Sequence, residues 1–395
     1  YYTNGTDQPI TQTITIPNST FGTAMVAVGE YLYVSDSLNN RVYVYKVNYP
    51  SSNISLQTTI NQTTTGQIAV SADRQWLYIS NVTDKTIAVW ALMTSGGYQY
   101  VSTITGPTTA TGFGTSIATS IDGVKLIVGA PLESLVTSES TQLTASGAAY
   151  VYTRSVQRFM SDGTSTTYTV NGTIPNAIAD VLVDDVLTND VIVYANGSVT
   201  FTIAPIYGSI IEVSYGEMSL VTQFLSSNPM VGGNFGTSVS TNKYGAQLVI
   251  GCPSELQTVN NVSNVQGAVY RFTNGGQQYG SVAGSVSEPA SGYIFIDGFK
   301  VTYSGTAAQI AQSINTQTPT NIIAAASGNI LQIGVINNTV ETINNIIDIT
   351  GPESNIADLG LSLYVNTQVI VNPNLPTIGS FGKIVSMGTR DSMIV

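Results

Sequence analysis

The acids Asp184, Asp185, Asp190, Glu212 and Glu217 fall close together in a chain that has no histidine. Paired carboxylates can do glycosidic chemistry when two of them flank one bond. Asp184 and Asp185, however, read as neighbours on one strand, VLVDDV, and neighbours on a strand point to opposite faces. The set is therefore expected to be solvated surface. Lacking histidine, the chain is without the commonest general base and the commonest metal ligand. Its one cysteine, Cys252, has no bridging partner within the chain and sits in the apolar run VIGCPSE, as a small buried residue would. Gly232-Gly233 and Gly275-Gly276 lack the following Lys-Ser/Thr of a phosphate loop. The expectation is a protein that is not an enzyme, with no catalytic, cofactor-binding or metal residues and no cofactor.

Composition narrows the partners. Hydrophobic residues make up 43% of the 395, enough to build a core without disulfides or metals. Charged residues make up only 9%, against a typical quarter, so the surface must be built from Ser, Thr, Asn, Gln and Tyr. A net charge of −11 leaves nothing to neutralise a row of phosphates, which argues against nucleic acid. No apolar run approaches the roughly 18 residues of a membrane span, and no signal peptide is visible. The first residue is not Met, which suggests a processed or partial polypeptide.

The elements that must position any site repeat along the chain. From Phe113 to Tyr152 the sequence runs FGTSIATS, an alternating strand; Asp122-Gly123, a tight turn; KLIVGAP, a more apolar strand; then a polar loop and AAYVY. Such a sheet cannot bury its faces alone and must stack against copies of itself. A leading phrase of alternating strand and loop recurs before Gly22, Gly66, Gly114, Gly236 and Gly382; the first reads TQTITIPNSTFG. Spacings of 44 and 48 residues separate the first three of these glycines, matching four-stranded propeller blades of about 40 to 50 residues. In the second unit Trp76 and Trp90 fall at apolar positions. A mainly β fold, a β-propeller, is expected.

FGTSIATSIDGVKLIVGAP with GAAYVY, and FGTSVSTNKYGAQLVIGCP with GAVYRF, resemble FG-GAP repeats, the blades of integrin α-type propellers; LYVSDSLNNRVYVYKV is closer to an NHL-type blade. Calcium-binding FG-GAP blades carry several acids in the first turn, because a hard cation needs converging oxygen ligands. Here those turns read VGEY, SADRQ, SIDGV and TNKYG, with at most one carboxylate each. No calcium is expected, and Asp122 is read as a turn former.

The next spacings, 122 and 146 residues, exceed a blade by roughly 75 and 100. Each excess is read as an inserted domain. The division is 1–155, the end of one blade and three more; 156–218, an all-β insertion; 219–275, a blade; 276–373, an α+β insertion; and 374–395, the start of another blade. About four complete blades result, a partial propeller, with further blades expected outside this segment. DGTSTTYTV, VLVDDV and VTFTIAPIYGSIIEVSY resemble a β-module repeated in bacteriophage tail-fibre and virion proteins, with Asn196-Gly197 as a hairpin turn. In the second insertion TAAQIAQSIN puts Ala307, Ile310, Ala311 and Ile314 on one helical stripe starting near Thr306, between hairpins turning at Asp297-Gly298 and Gly328-Asn329. That order resembles the flagellin hook IN motif. Both insertions follow a third strand and precede an outer one, so they should emerge side by side near the rim.

These resemblances imply a non-enzymatic virion structural or tail-fibre-like protein of a bacteriophage, its propeller a platform displaying small domains for assembly or host-surface attachment. The implied partners are other virion proteins or copies of itself, and a host-surface glycan or protein; the implied location is the virion, an extracellular particle, without membrane insertion. The alternative is a cellular surface adhesin or receptor ectodomain with an integrin-like propeller, which predicts glycans at sites such as Asn81 and Asn171. Tyr194 and Tyr207 are contact candidates, although strand tyrosines more often pack across to neighbours.

Overall fold

The structure is a computed structural model that describes residues 13–48, 53–62, 65–93, 95–136, 140–184, 186–188, 190–242, 245, 247–259, 262–265, 267–273, 277–279, 281–296, 298–319, 322–335, 346–350, 358–359, 366–371, 383–387 and 393–394. Among the described residues three separate antiparallel four-stranded sheets follow one another along the chain, and between the second and the last of them a similar four-stranded antiparallel ladder, called the third sheet below, forms part of a ten-stranded sheet. The first is β1 (Phe21–Val28), β2 (Tyr31–Asp36), β3 (Arg41–Asn48) and β4 (Asn53–Asn61). The second is β5 (Ile68–Val70), β6 (Trp76–Asn81), β7 (Thr86–Leu92) and β8 (Tyr98–Thr105). The third opens with β9 (Ser116–Thr119) and β10 (Lys125–Ala130), and a small hairpin, β11 (Leu135–Val136) with β12 (Gln142–Leu143), precedes its long third strand β13 (Ala148–Met160).

From β13 the chain passes through β14 (Thr167–Thr169), a 3-10 turn at Pro175–Ala177, β15 (Ala179–Val183), β16 (Val186–Leu187), β17 (Val191–Val193) and β18 (Ser198–Phe201). It returns on β19 (Ile210–Phe224), the fourth strand of the third sheet. The fourth sheet has β20 (Ser238–Thr241) and β21 (Gln247–Cys252), a hairpin of β22 (Leu256–Val259) and β23 (Val262–Val265), then β24 (Ala268–Thr273). A second segment holds β25 (Gln277–Tyr279), β26 (Ser281–Ser285), β27 (Ala290–Ile296), β28 (Phe299–Gly305), α1 (Ala307–Gln317), β29 (Ile322–Ser327), β30 (Ile330–Val335) and β31 (Ile346–Thr350). The fourth sheet closes on β32 (Asn366–Val371), and β33 (Ser386–Met387) pairs with β34 (Met393–Ile394) beyond it.

The middle strands explain the stacking. Their runs are continuously apolar because both faces are buried, and successive side chains serve opposite neighbours. Leu126 and Val128 of β10 join Trp76, Tyr78 and Ile87 of the second sheet, whereas Ile127 between them joins Leu248 and Ile250 of the fourth. Tyr33, Val42 and Val44 likewise meet Ile68, Leu77 and Ile79. Each such side chain contributes about 1.5–3 kcal/mol when fully buried. The first strands lie next to one another, and Val28, Val70, Ser120, Thr241 and Met387 all line one open pocket of about 390 Å³. Successive four-stranded sheets, face-packed with their first strands side by side, make the fold mainly β and propeller-like.

A second repeating contact locks each sheet to the next. The turns before β6, β10 and β21 each hold one residue in the left-handed region, Arg74 (φ 68), Gly123 (φ 70) and Gly245 (φ 66). Each turn is covered by the residue that opens the preceding middle strand. The Arg74 guanidinium lies 3.2 Å from the Tyr31 ring centroid; a Cβ on Gly123 would meet the Trp76 side chain at 2.7 Å, and one on Gly245 would meet Lys125 at 2.7 Å.

In the second segment the helix reading holds. Ala307, Ile310, Ala311 and Ile314 are buried, Thr306 is the N-cap, and the Gln309 side chain accepts the Thr306 N–H at 2.9 Å. The Glu288 carboxylate accepts the Ala307 N–H at 2.8 Å, where the helix dipole favours an anion. Gly328 and Asn329 form the turn between β29 and β30; Gly298 has φ 80, and Asp297 lies outside the described residues.

Two local expectations are corrected. VLVDDV is a tight hairpin rather than one strand: β15 ends at Val183, and Asp184 takes φ 51 in the turn, where a short polar side chain tolerates the left-handed region. The phrase TITI is not a strand over residues 13–16; Ile14 and Ile16 instead pack on Tyr43 and Tyr45 without ladder pairing. Residues 11 and 12 of that phrase lie outside the described residues.

Candidate functional site

β13 and β19 form one antiparallel ribbon. Its near end, Ala149 opposite Phe224, belongs to the third sheet; its far end, Met160 opposite Ile210, belongs to the projecting segment. Both strands run across positions 155/156 and 218/219, but their ladder shifts register there, with 216–218 standing against Arg154 alone. Thirteen residues at about 3.3 Å each give a ribbon on the order of 40 Å long. β15 pairs with β19, and β14, β17 and β18 close a small apolar core of Tyr168, Val170, Val181, Phe201 and Ile211 against it.

At the far end stands a loop in which Pro205 is buried while three large side chains stand out in solvent. Ile203, Ile206 and Tyr207 are each 81% exposed. Their backbone is nonetheless fixed: Ser161 Oγ donates to the Pro205 carbonyl at 2.8 Å, Gly208 N–H to Ser161 O at 2.9 Å, and Ser209 N–H to Ile206 O at 3.0 Å. Beside it, Asp162 accepts the Ser165 and Thr164 amides at 2.6 and 2.8 Å and the Ser165 hydroxyl at 2.7 Å, which holds its carboxyl well below the usual carboxylate range. A backbone fixed in this way lowers the ordering cost of any contact made there.

The ribbon is braced on both flanks. On one side the second segment meets it: Phe299 of β28 bridges Arg158, the Arg158 N–H donates to Gly298 O at 2.7 Å, and Lys300 Nζ donates to Asn171 Oδ1 at 3.2 Å. On the other, Ile178 and Met218 pack on the cluster around Trp76, and the Trp76 indole N–H donates to Asp180. The Arg154 guanidinium stacks 3.2 Å from the Trp76 ring centroid and donates to the Tyr78 hydroxyl at 3.2 Å.

The acids singled out from sequence part company here. Asp184, Asp190 and Glu217 are exposed, and Asp185 lies outside the described residues. Glu212 departs from the solvated reading: it is 8% exposed and takes Arg158 Nε and a terminal guanidinium nitrogen on the same oxygen, each at 2.6 Å. The ladder sets Arg158 directly opposite Glu212, so the pair is built into the register. Asp122 is a turn residue, its carboxylate accepting Ser120 Oγ at 2.5 Å and Val124 N–H at 3.0 Å. Cys252 is buried, its thiol donates to Gly233 O at 3.1 Å, and burial pushes its pKa up, leaving it unreactive. Among the described residues no group of three His, Cys, Asp or Glu side chains could hold a metal ion. Asn81 is 6% exposed and tied to Asp84 at 2.7 Å, so a glycan there is incompatible with the fold; Asn171 is exposed. Tyr194, 45% exposed, and Tyr207, 81% exposed, both remain at the surface.

No family model and no curated protein matches the chain. Among solved structures, a protein from Lactobacillus plantarum is similar at 14% identity and a TM-score of 0.35, over 65% of this chain. This chain spans about half of that protein, 51%. Hydrazine synthase from Kuenenia stuttgartiensis is similar at 12% identity and a TM-score of 0.25, covering 67% of this chain and 80% of that one.

Among the described residues four buried acids escaped the sequence reading, Asp36, Glu133, Asp180 and Glu255, and two of them share a motif. Glu133 takes the Tyr150 hydroxyl at 2.6 Å, and Glu255 takes Tyr270 at 2.8 Å and Ser226 Oγ at 2.7 Å. The signal was present: each lies two residues after the proline of GAP or GCP, and each tyrosine follows the next Gly-Ala. Tyr270→Phe withdraws a donor from the buried Glu255 and is expected to cost about 1–3 kcal/mol in urea unfolding, with Ser226 retaining part of the network.

Proposed function

We propose that this protein is a non-enzymatic virion structural or tail-fibre-like protein of a bacteriophage, a propeller platform that displays two small domains for assembly or host-surface attachment. In this reading the four sheets are four complete blades, and 156–218 and 276–373 are domains inserted between the third and fourth strands of two neighbouring blades. The supporting observation is the ribbon: β13 and β19 run on from the third sheet, across a register shift, to a loop that holds exposed apolar side chains on a hydrogen-bonded backbone. A surface poor in charge suits contacts made by hydrogen bonding and apolar stacking with a host glycan or protein. Resemblance to FG-GAP blades, to a phage virion module and to the hook IN motif supports the same reading.

Quantitative mass spectrometry of purified particles is the test. The protein is expected at a fixed copy number per virion; recovery only from a cell-surface or secreted fraction sinks the proposal and favours the adhesin. Within the proposal, Ile206→Ser with Tyr207→Ser is expected to leave stability within about 0.5 kcal/mol, since neither side chain is packed. Adsorption of particles carrying it, measured as the adsorption rate constant, is expected to fall at least about tenfold, because apolar and aromatic anchors dominate contact energies.

A further inference from the structure

Asp180 lies where the projecting segment touches the second sheet. It is 5% exposed, on β15, and accepts the indole N–H of Trp76 on β6. The groups facing it are Asp73 on the turn before β6, Asp122 on the turn before β10, Arg154 on β13 and Tyr78 on β6. Arg154, buried as well, is spent elsewhere: it stacks on Trp76 and donates to Tyr78, and its Nε has no hydrogen-bond partner among the described residues. No ion pair within 4.0 Å ties it to Asp180 among the described residues. A buried carboxyl with two acids nearby and no direct cationic partner is comfortable when it carries a proton, although the indole donor favours the anion.

We propose that Asp180 is a proton-controlled clasp that seats the projecting segment on the second sheet when protonated and loosens the seat when ionised. Burial first, then the Asp73 charge, pushes its pKa from 3.8 up to about 7, against the smaller opposing pulls of Trp76 and Arg154. The sign follows from proton linkage. The seated carboxyl binds its proton more tightly than the released one, so the clasp contributes fully below about pH 4. That contribution is lost as pH rises to about 7 and stays lost above it. Asp180→Asn keeps an acceptor for the indole N–H without a proton to lose.

The test follows Trp76 emission from pH 4.5 to 8.5 with Trp90 replaced by phenylalanine, alongside amide exchange of 179–183. The unmodified Asp180 protein is expected to shift its emission to the red across that range. At pH 8 its 179–183 amides are expected to exchange at least about tenfold faster than those of Asp180→Asn, whose emission stays constant. Asp73→Asn, which removes a like charge, is expected to move the midpoint to lower pH. Emission that is flat in the parent, or a titration unchanged by Asp180→Asn, overturns the clasp. Should Asp180→Asn fail to fold, the Asp73→Asn midpoint decides: a shift to lower pH supports the proposal and an unmoved midpoint overturns it.

Discussion

Gly236→Ala is expected to lower the melting temperature by roughly 4 °C, the equivalent of about 3 kcal/mol. Two costs add. The backbone there has φ 89, which alanine adopts at a cost of about 1 kcal/mol. An added methyl would also lie 2.3 Å from the Ala148 carbonyl oxygen and 3.2 Å from the Ala130 nitrogen, backbone atoms of the preceding sheet that cannot turn aside. Gly208→Ala separates the two terms, since φ is 83 there but nothing lies within 4 Å. It is expected to cost about 1 kcal/mol only. Calorimetry that gives both variants the same midpoint would contradict the close approach of the third and fourth sheets.

Arg158→Met is expected to destabilise by about 3–5 kcal/mol, because it leaves Glu212 as an unpaired charge at 8% exposure. Arg158 is itself about a third exposed, so solvent relieves some of that cost and the lower end applies. Replacing both residues, Arg158→Met with Glu212→Leu, is expected to recover most of the loss, since an apolar pair of similar volume carries no buried charge. Denaturant unfolding of the four corners of this cycle checks it. A coupling below about 0.5 kcal/mol would mean that the ribbon does not depend on the pair.

The two variants divide what kind of information sits where. Alternating strands, Asp122-Gly123, the KLIVGA run and the Ala307–Ile314 stripe are local patterns, and the structure follows them because short-range sterics and burial periodicity decide such elements. VLVDDV misled for a local reason as well: β-branched residues on both sides hid a turn in which Asp184 accepts the left-handed region. Glu212 misled for a non-local one. A carboxylate on an alternating strand reads as solvated until the register sets Arg158 opposite it, and register across some fifty intervening residues is not written in either strand alone.

By itself, then, the sequence determined a repeating mainly β chain and most of its local strand and turn signals. Those follow from period, turn chemistry and spacing. Only the tertiary structure decided why the FG and GAP glycines are glycines: Gly236 and Gly129 face each other across two sheets, where a Cβ on Gly129 would fall 2.0 Å from the Gly236 carbonyl. It alone joined Asp180 to Trp76, 104 residues away, and stretched β13 and β19 into a single ribbon with an apolar tip. Close approach, burial and register are properties of pairs of distant segments, and a pair exists only once the chain has folded.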